Sequence, residues 1–456
     1  MKYYLNDKDL YDYDNLIEYL DEVDRHGIIG GETIVDANGN PFFTRCDYKL
    51  PSVISASPPA TSYQCAQGSP PVCDFSGNIY YPIAFSSASI GILKINSNNL
   101  NESVILQHDT FPTTYGDTAG LLGGNFHCLT PNGMILSSTS GKSGTISNLV
   151  YIDTKLIDTL KLKSGAISPQ DPPILSSYWG NPIYNKKHNC VYFTPHGDNF
   201  DSGDVWVRLN LNTTPFQIET YSFGYVINEF YSSKYNSGVH TRNNRIFLTP
   251  ATINSTHTSV TKLHYIDCSG DNPVVVAYNI GTMISELYSS GECYRGGVYV
   301  PKLDRIYLIP YYQTRNANKK LHYIANCSTS PSVVSYTHTS TDIFSSSGAY
   351  QNGLYIGKGL IFMIPINQAN RTKFHLIDTN NNNLISYNNF LSSTATPVVE
   401  RVLSWFAGAT LVGDKIVFSY KAGTKVTNQI SWCYLNLNHN MPYSMQYTSH
   451  PLKLNS

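Results

Sequence analysis

Charge is scarce in this chain. Lys, Arg, Asp and Glu make up 14% of the 456 residues and nearly cancel, to a formal net charge of −1. No cluster of Lys and Arg breaks that balance, so there is no bulk electrostatic means of holding nucleic acid or anionic lipid. No apolar run approaches the roughly 20 residues of a membrane-crossing helix. The opening Met1-Lys2-Tyr3-Tyr4-Leu5-Asn6-Asp7 lacks the apolar core of a secretory leader. The nine cysteines (Cys46, Cys65, Cys73, Cys128, Cys190, Cys268, Cys293, Cys327 and Cys433) are odd in number and include no Cys-x-x-Cys pair. Such usage fits reduced thiols in a cytosolic setting, not a disulfide framework or a zinc site. No Gly-x-Ser-x-Gly elbow, His-Glu-x-x-His pair or phosphate-binding glycine loop occurs in a suitable context. The sequence gives no reason to expect a cofactor or a metal.

What is present is periodic. Gly68, Gly124, Gly180, Gly238, Gly297, Gly353 and Gly408 lie 55 to 59 residues apart, and each precedes a short apolar stretch, a polar turn and a second apolar run. A constant period means one small unit built repeatedly. The chain has 35 tyrosines and abundant Asn, Ser and Thr, a composition suited to strands and not to helices. Each unit is expected to hold four strands. The first follows the glycine (Val298-Tyr299-Val300, Leu354-Tyr355-Ile356). The second is the clearest: Ile79-Tyr80-Tyr81, Ile135-Leu136, Val191-Tyr192-Phe193, Ile246-Phe247-Leu248, Ile306-Tyr307-Leu308, Ile361-Phe362-Met363 and Ile416-Val417-Phe418. Proline closes it at Pro82, Pro195, Pro250, Pro310 and Pro365. A third strand recurs as Leu149–Asp153, Leu263–Asp267, Leu321–Ile324 and Phe374–Asp378. A weaker fourth ends near Tyr221, Tyr278, Tyr336, Tyr387 or Tyr447.

Four antiparallel strands repeated seven times predict an all-β protein, a seven-bladed β-propeller over residues 61–456, in which ring closure leaves few strand edges exposed. Separate β-sandwiches are the competing architecture. Gly-His to Trp-Asp signatures are absent, and within the repeat paired glycines occur only at Gly123-Gly124 and Gly296-Gly297, so neither the WD40 nor the kelch pattern is matched. Residues 1–60 precede the repeat. Up to Arg25 they carry eight carboxylates against three cations. Asn15 and Glu18 have capping-box spacing, with Leu16, Leu20 and Val23 on one face of a short helix. Asn38-Gly39 predicts a hairpin between Thr33–Val35 and Pro41–Phe43. This segment reads either as an anchor onto a larger assembly or as an addition to the propeller, such as an extra strand in one blade.

The links that precede the repeated glycines cross one face of a propeller. They carry aromatics and single acids, giving a candidate ligand-binding face of Tyr115, Asp117, Asp171, Tyr178, Trp179, Glu229, Tyr231, Glu286, Tyr288, Asp342, Tyr350, Glu400 and Trp405. Flat rings beside hydroxyls suit carbohydrate or protein ligands. Repeat geometry accounts for the same pattern as packing between blades. His264, His322 and His375 occupy one third-strand position in three different blades, so they are expected to pack locally and not to converge on an ion.

In its Asn- and Tyr-rich strands, acidic leading segment and propeller architecture, the chain resembles propeller-type virion proteins of phages and large DNA viruses. That resemblance implies a non-enzymatic structural or attachment protein of a tail, spike or capsid, assembled in the host cytoplasm. Its partners would be other protein subunits, with a host-surface glycan or protein as receptor. A carbohydrate-binding or carbohydrate-active propeller (lectin, lyase or glycosidase) is the second expectation, and an intracellular scaffold the third.

Overall fold

The computed structural model describes residues 43–49, 64–65, 71–73, 78–86, 89–96, 103–107, 127–130, 134–138, 149–153, 164–167, 179–195, 205–213, 216–222, 235–250, 260–283, 294–311, 320–337, 350–356, 359–365, 374–387, 406–412, 415–420 and 429–436. In chain order the strands are β1 (Phe43–Lys49), β2 (Gln64–Cys65), β3 (Val72–Cys73), β4 (Asn78–Ser86), β5 (Ser89–Asn96), β6 (Ser103–Gln107), β7 (His127–Leu129), β8 (Met134–Ser138), β9 (Leu149–Asp153) and β10 (Ser164–Ile167). There follow β11 (Trp179–Asn185), β12 (Cys190–Pro195), β13 (Val205–Asn210), β14 (Gln217–Ser222), β15 (Tyr235–His240), β16 (Arg245–Pro250), β17 (Val260–Asp267), β18 (Val274–Met283), β19 (Tyr294–Val300) and β20 (Arg305–Pro310). The last are β21 (Lys320–Ala325), β22 (Ser332–Thr337), β23 (Tyr350–Tyr355), β24 (Leu360–Pro365), β25 (Phe374–Asp378), β26 (Asn383–Tyr387), β27 (Phe406–Val412), β28 (Lys415–Tyr420) and β29 (Gln429–Asn436).

Every pairing is antiparallel, and the strands form seven sheets. They divide between two compact units. Residues 43–167 with 406–436 hold three sheets, and residues 179–387 hold four. In the second unit the sheets are β11–β14, β15–β18, β19–β22 and β23–β26, each in simple up-and-down order. Their first strands stand side by side, β11 next to β15, β15 next to β19 and β19 next to β23. In the first unit β27 lies beside β3, and β3 beside β7. Consecutive four-stranded antiparallel sheets with neighbouring innermost strands make a β-propeller, as the repeat predicts.

Each expected second-strand run lies within an observed strand, β4, β8, β12, β16, β20, β24 or β28. β16 and β20 each show one partly exposed residue followed by five buried ones. A strand covered on both faces reads as a continuous apolar run, which is why it was the clearest signal. Pro82 differs from the expectation. It lies inside β4, opposite Ile92 of β5. On the other flank of β4 the described partners jump from Cys65, opposite Ile83, to Val72, opposite Tyr80.

Of the repeated glycines, the five that lie among the described residues, Gly180, Gly238, Gly297, Gly353 and Gly408, fall within first strands and not ahead of them. Gly238 pairs with Leu248, Gly297 with Leu308 and Gly353 with Met363. A Cβ on Gly238 would lie 2.2 Å from Ile183 Cδ1, and one on Gly297 would lie 3.1 Å from Val239 Cγ2. One on Gly353 would lie 2.7 Å from Ile309 Cδ1 and 2.8 Å from Val298 Cγ2. Each glycine therefore makes room for a branched side chain of the preceding sheet. Register moves this place in two copies. Pro182 pairs with Phe193 as Gly238 pairs with Leu248, so Pro182, not Gly180, holds the position in β11. The β27–β28 hairpin is one residue shorter, which puts Ala409 there in place of Gly408.

The segment ahead of the repeat contributes a propeller strand. β1 pairs along its full length with β29, from Phe43↔Leu435 to Lys49↔Gln429, and completes the sheet β1-β29-β28-β27. The expected hairpin partner 33–35 and the expected helix carrying Leu16, Leu20 and Val23 lie outside the described residues.

Two outcomes test this packing. Gly353→Ala should cost about 1–3 kcal/mol by overpacking against Val298 and Ile309. Gly270→Ala, whose Cβ meets nothing nearer than 3.6 Å, should stay within about 0.5 kcal/mol; urea titration of both variants measures the difference. Deleting residues 1–49 should strip β29 of one of its two partners, lower the melting temperature and promote aggregation through the bared edge. A monodisperse deletion product that melts with the full chain would show that β1 is dispensable.

Candidate functional site

Of the candidate face, Tyr115, Asp117, Asp171, Tyr178, Glu229, Tyr231, Glu286, Tyr288, Asp342, Glu400 and Trp405 lie outside the described residues, and Trp179 is placed as the first residue of β11. Tyr350 is described, and it is not on a surface. It is fully buried, and its hydroxyl is hydrogen-bonded to His375 Nδ1 at 2.6 Å. The same pair recurs in the preceding sheets: Tyr235 with His264 at 2.8 Å, and Tyr294 edge-on to His322 with ring centroids 6.2 Å apart. All three histidines are buried, each in its own sheet and against the tyrosine that opens its own first strand. The aromatic at this place is a core group, because the bulge that follows it in β15, β19 and β23 turns it inward.

A second cluster, which the sequence reading missed, sits at the turn end of β11–β14. Register builds it: Tyr192 lies opposite Arg208, and Arg208 opposite Glu219, across three adjacent strands. Arg208 Nε donates to Glu219 Oε2 at 2.6 Å, Tyr221 Oη donates to the same oxygen at 2.8 Å, and Asn210 Nδ2 donates to Oε1 at 2.8 Å. Arg208 Nη1 also donates to Tyr192 Oη at 3.4 Å, and its guanidinium lies 5.3 Å from the Tyr221 ring centroid. His188, in the turn before β12, approaches the Gly270 carbonyl with Nε2 at 2.7 Å and Tyr192 Oη with Nδ1 at 2.5 Å. A carbonyl only accepts, so Nε2 carries the proton and Nδ1 accepts from Tyr192. The sequence held one clue. In the next two sheets the place of Arg208 is taken by Tyr265 and Tyr323, opposite Phe247 and Tyr307.

Electrostatics set what this cluster is able to do. Burial pushes the Tyr192 hydroxyl far above the usual tyrosine range and outweighs the opposing pull of Arg208. Burial likewise raises the thiols of Cys190 and Cys327, and that of Cys268 to about 12. Burial pushes the Glu219 carboxyl up, but hydrogen bonds from Asn210, Arg208 and Tyr221 outweigh it and hold the group ionised below its ordinary range. Desolvation lowers His188 and brings His240 down to about 4. The arrangement is therefore a neutral imidazole and a protonated phenol beside a guanidinium–carboxylate pair. Its hydrogen bonds link β12 to β13 and β13 to β14.

No family model and no curated protein matches the sequence. Solved structures do. The crystal structure of polysaccharide lyase Uly1 is similar over 86% of this chain and 99% of that one, with 11% identity and a TM-score of 0.51. The fold is a propeller. The Myceliophteria thermophila Cps50 (Swd1) β-propeller domain matches 80% of this chain and 96% of its own at 8% identity, TM-score 0.46. The Pseudomonas aeruginosa periplasmic gluconolactonase PpgL matches 70% and 85% at 6% identity, TM-score 0.44. Identities this low speak to fold alone.

The lowered His240 has a measurable consequence. Its folded value lies below the unfolded one near 6.5, so the neutral ring stabilises the fold above pH 6.5. That contribution is lost as pH falls towards 4. At about 1.4 kcal/mol for each pH unit the loss is roughly 3 kcal/mol. Asn185 Nδ2 lies 3.4 Å from His240 Nε2, a contact that a protonated ring would turn donor to donor. Urea unfolding from pH 7 to pH 4 should show a steeper loss for the wild type than for His240→Gln; parallel profiles would rule the assignment out.

Proposed function

We propose that the chain is a non-enzymatic interaction protein, a propeller whose surfaces engage other protein subunits of a larger assembly. The likeness read in the sequence makes that assembly a virion, put together in the host cytoplasm, with a host-surface glycan or protein as the outward partner. One observation carries the non-enzymatic part. Tyr192 has a histidine and an arginine on its hydroxyl, which is the neighbourhood of a proton-abstracting tyrosine, yet burial drives its acidity the wrong way for that task. Among the described residues the thiols of Cys190, Cys268 and Cys327 are likewise buried and raised.

The same cluster favours one second reading. Abstraction of a proton beside a uronate carboxylate, followed by β-elimination, needs a tyrosine or histidine base and a cation for the carboxylate, and Tyr192, His188 and Arg208 are those residue types. Incubating the chain with uronate polysaccharides and following the absorbance of the unsaturated product separates the two. No product is expected from the wild type, and Tyr192→Phe should leave assembly unchanged. Turnover abolished by Tyr192→Phe would replace the interaction role with an enzymatic one. An antibody to the chain should label purified particles of its source; absence from the particle fraction would remove the virion assignment.

A further inference from the structure

In each sheet of the second unit one first-strand side chain reaches into the first turn, the turn between first and second strands. Tyr184, His240, Tyr299 and Tyr355 hold equivalent places, opposite Val191, Ile246, Ile306 and Ile361. Tyr184 Oη donates to Asn189 Oδ1 at 3.1 Å, and Tyr299 Oη donates to Asp304 Oδ1 at 2.9 Å. Tyr355 Oη accepts from Gly359 N at 3.3 Å. Those three partners close their turns with positive φ. The second of the four sheets has an imidazole in place of the phenol, bonded to Asn244, which closes its own turn in the same way.

His240 also meets the preceding sheet. Its Nε2 lies 3.4 Å from Nδ2 of Asn185, the fully buried last residue of β11. Asn185 Oδ1 accepts from His188 N at 3.0 Å, so the amide presents its N–H edge to the ring, and the ring nitrogen must accept. A proton there sets donor against donor. Turning the Asn185 amide over moves the same conflict to His188 N. His188 crosses the junction in the other direction, with Nε2 donating to the Gly270 carbonyl at 2.7 Å and Nδ1 accepting from Tyr192. A proton on Nδ1 adds a cation beside Arg208 and Lys187, opposed by Asp271. The elements packed against His240 carry Tyr184 in β11, Cys190 and Tyr192 in β12, Arg245 in β16, and Arg295 and Tyr299 in β19. The first turns on either side add Lys186, Lys187 and Arg242, and Arg245 is itself paired with Asp267 at 3.7 Å. The next two junctions use groups that do not titrate in acid: Asn243 and Arg245 donate to the Ser328 and Cys327 carbonyls, and Tyr307 Oη donates to Asn382 Oδ1.

We propose that the junction between the first two sheets of the second unit is an acid-operated seam. Protonation of His240 and His188 releases the turn end of β11–β12 from the β15–β18 sheet while the other two junctions stay closed. Such local opening requires less free energy than unfolding the unit. Burial holds both rings neutral, so the seam is shut at neutral pH and yields as pH falls towards 4. Two thiols flank it. Cys190 Sγ donates to the His188 carbonyl at 3.1 Å, Cys268 N donates to the Asn244 carbonyl at 2.8 Å, and both thiols are buried. Cys327, also buried, bonds through its N to the Asp304 carbonyl in the third sheet and serves as a control.

Pulse labelling of the full chain with a dipyridyl disulfide, which reacts with thiols in acid, tests this between pH 7 and pH 4. Peptide mass spectrometry locates the labelled cysteines, and far-UV circular dichroism follows the fold in the same samples. Labelling of Cys190 and Cys268 should rise at least about tenfold on acidification, with Cys327 protected and the dichroism unchanged. His240→Tyr installs the residue that the other three sheets use and should reduce the rise; adding His188→Gln should abolish it. His240→Gln gives the same comparison with a smaller neutral side chain if the tyrosine variant does not fold. Simultaneous labelling of all three thiols would mean global unfolding and overturn the proposal. So would protection of all three at pH 4, or a rise undiminished in the folded His240 variant.

Discussion

Close approach of neighbouring first strands is the constraint on which the rest of this structure depends. Two sheets come together because one lacks a side chain where the other carries a stiff, branched one: Gly238 against Ile183, Gly297 against Val239, Gly353 against Val298. Interiors are packed to crystalline density, so the interval between sheets is set to within a methyl group at these points. Once it is set, the second and third strands of adjacent sheets share one core. Cys190, Tyr192 and Trp206 of one sheet, Phe247, Leu248 and Ile266 of the next, and Ile306, Leu308 and Ile324 of the third belong to a single apolar cluster.

The same interval explains the abundance of tyrosine. Phe247, Tyr265 and Tyr278 make a trio with centroids 5.0, 5.9 and 5.8 Å apart; Tyr307, Tyr323 and Tyr336 repeat it at 5.2, 6.2 and 5.6 Å. Flat rings fill a fixed gap in tilted and edge-on pairs that aliphatic side chains do not reproduce. Arg245 and Arg305 lie 4.9 and 4.6 Å from the Tyr265 and Tyr323 rings. The turns then lock one sheet to the next. Lys187 donates to the Ser269 carbonyl, Asn243 Nδ2 to the Ser328 carbonyl at 2.9 Å, and Arg245 Nη1 to the Cys327 carbonyl at 2.8 Å. Asn189, Asn244, Asp304 and Gly359 end the first turns with positive φ, and their carbonyls accept from Leu211, Cys268, Cys327 and Thr379, one or two residues past the third strand. Asn, Asp and Gly tolerate that conformation best, which is why the polar turns of the repeat look alike.

How much of this was legible depended on whether the signal was local. Ile246-Phe247-Leu248 and its counterparts announced themselves because burial on both faces leaves a continuous apolar run. Leu149–Asp153 and Phe374–Asp378 coincide with β9 and β25. The glycine frame marks the close-approach position at Gly238, Gly297 and Gly353 and slips at Gly180 and Gly408, where Pro182 and Ala409 hold it. An added strand in one blade was among the expectations for the leading segment, and β1 is such a strand, but its partner was not legible. Asn38-Gly39 is a strong local turn signal, whereas the partner of Phe43 is Leu435, and nothing near Phe43 points to it. In the candidate site, Tyr350 was read as a surface ring because link and strand meet at that residue; a bulge, invisible in composition, turns it inward.

Arg208 shows how chemistry and structure diverge in a repeat. In two sheets an arginine on the second strand, Arg245 or Arg305, lies over a tyrosine on the third. In β11–β14 the arginine has moved to the third strand and Cys190 stands in its former place, which brings the guanidinium onto Glu219 and Tyr192 as well. Viewed alone, that constellation resembles a proton-transfer site. Within the repeat it is the same cation-on-ring contact, rewired by exchanging residues between adjacent strands, with the carboxylate supplied to balance a charge only 12% exposed. Burial follows from that structural role, and burial is what raises Tyr192 and keeps His188 neutral.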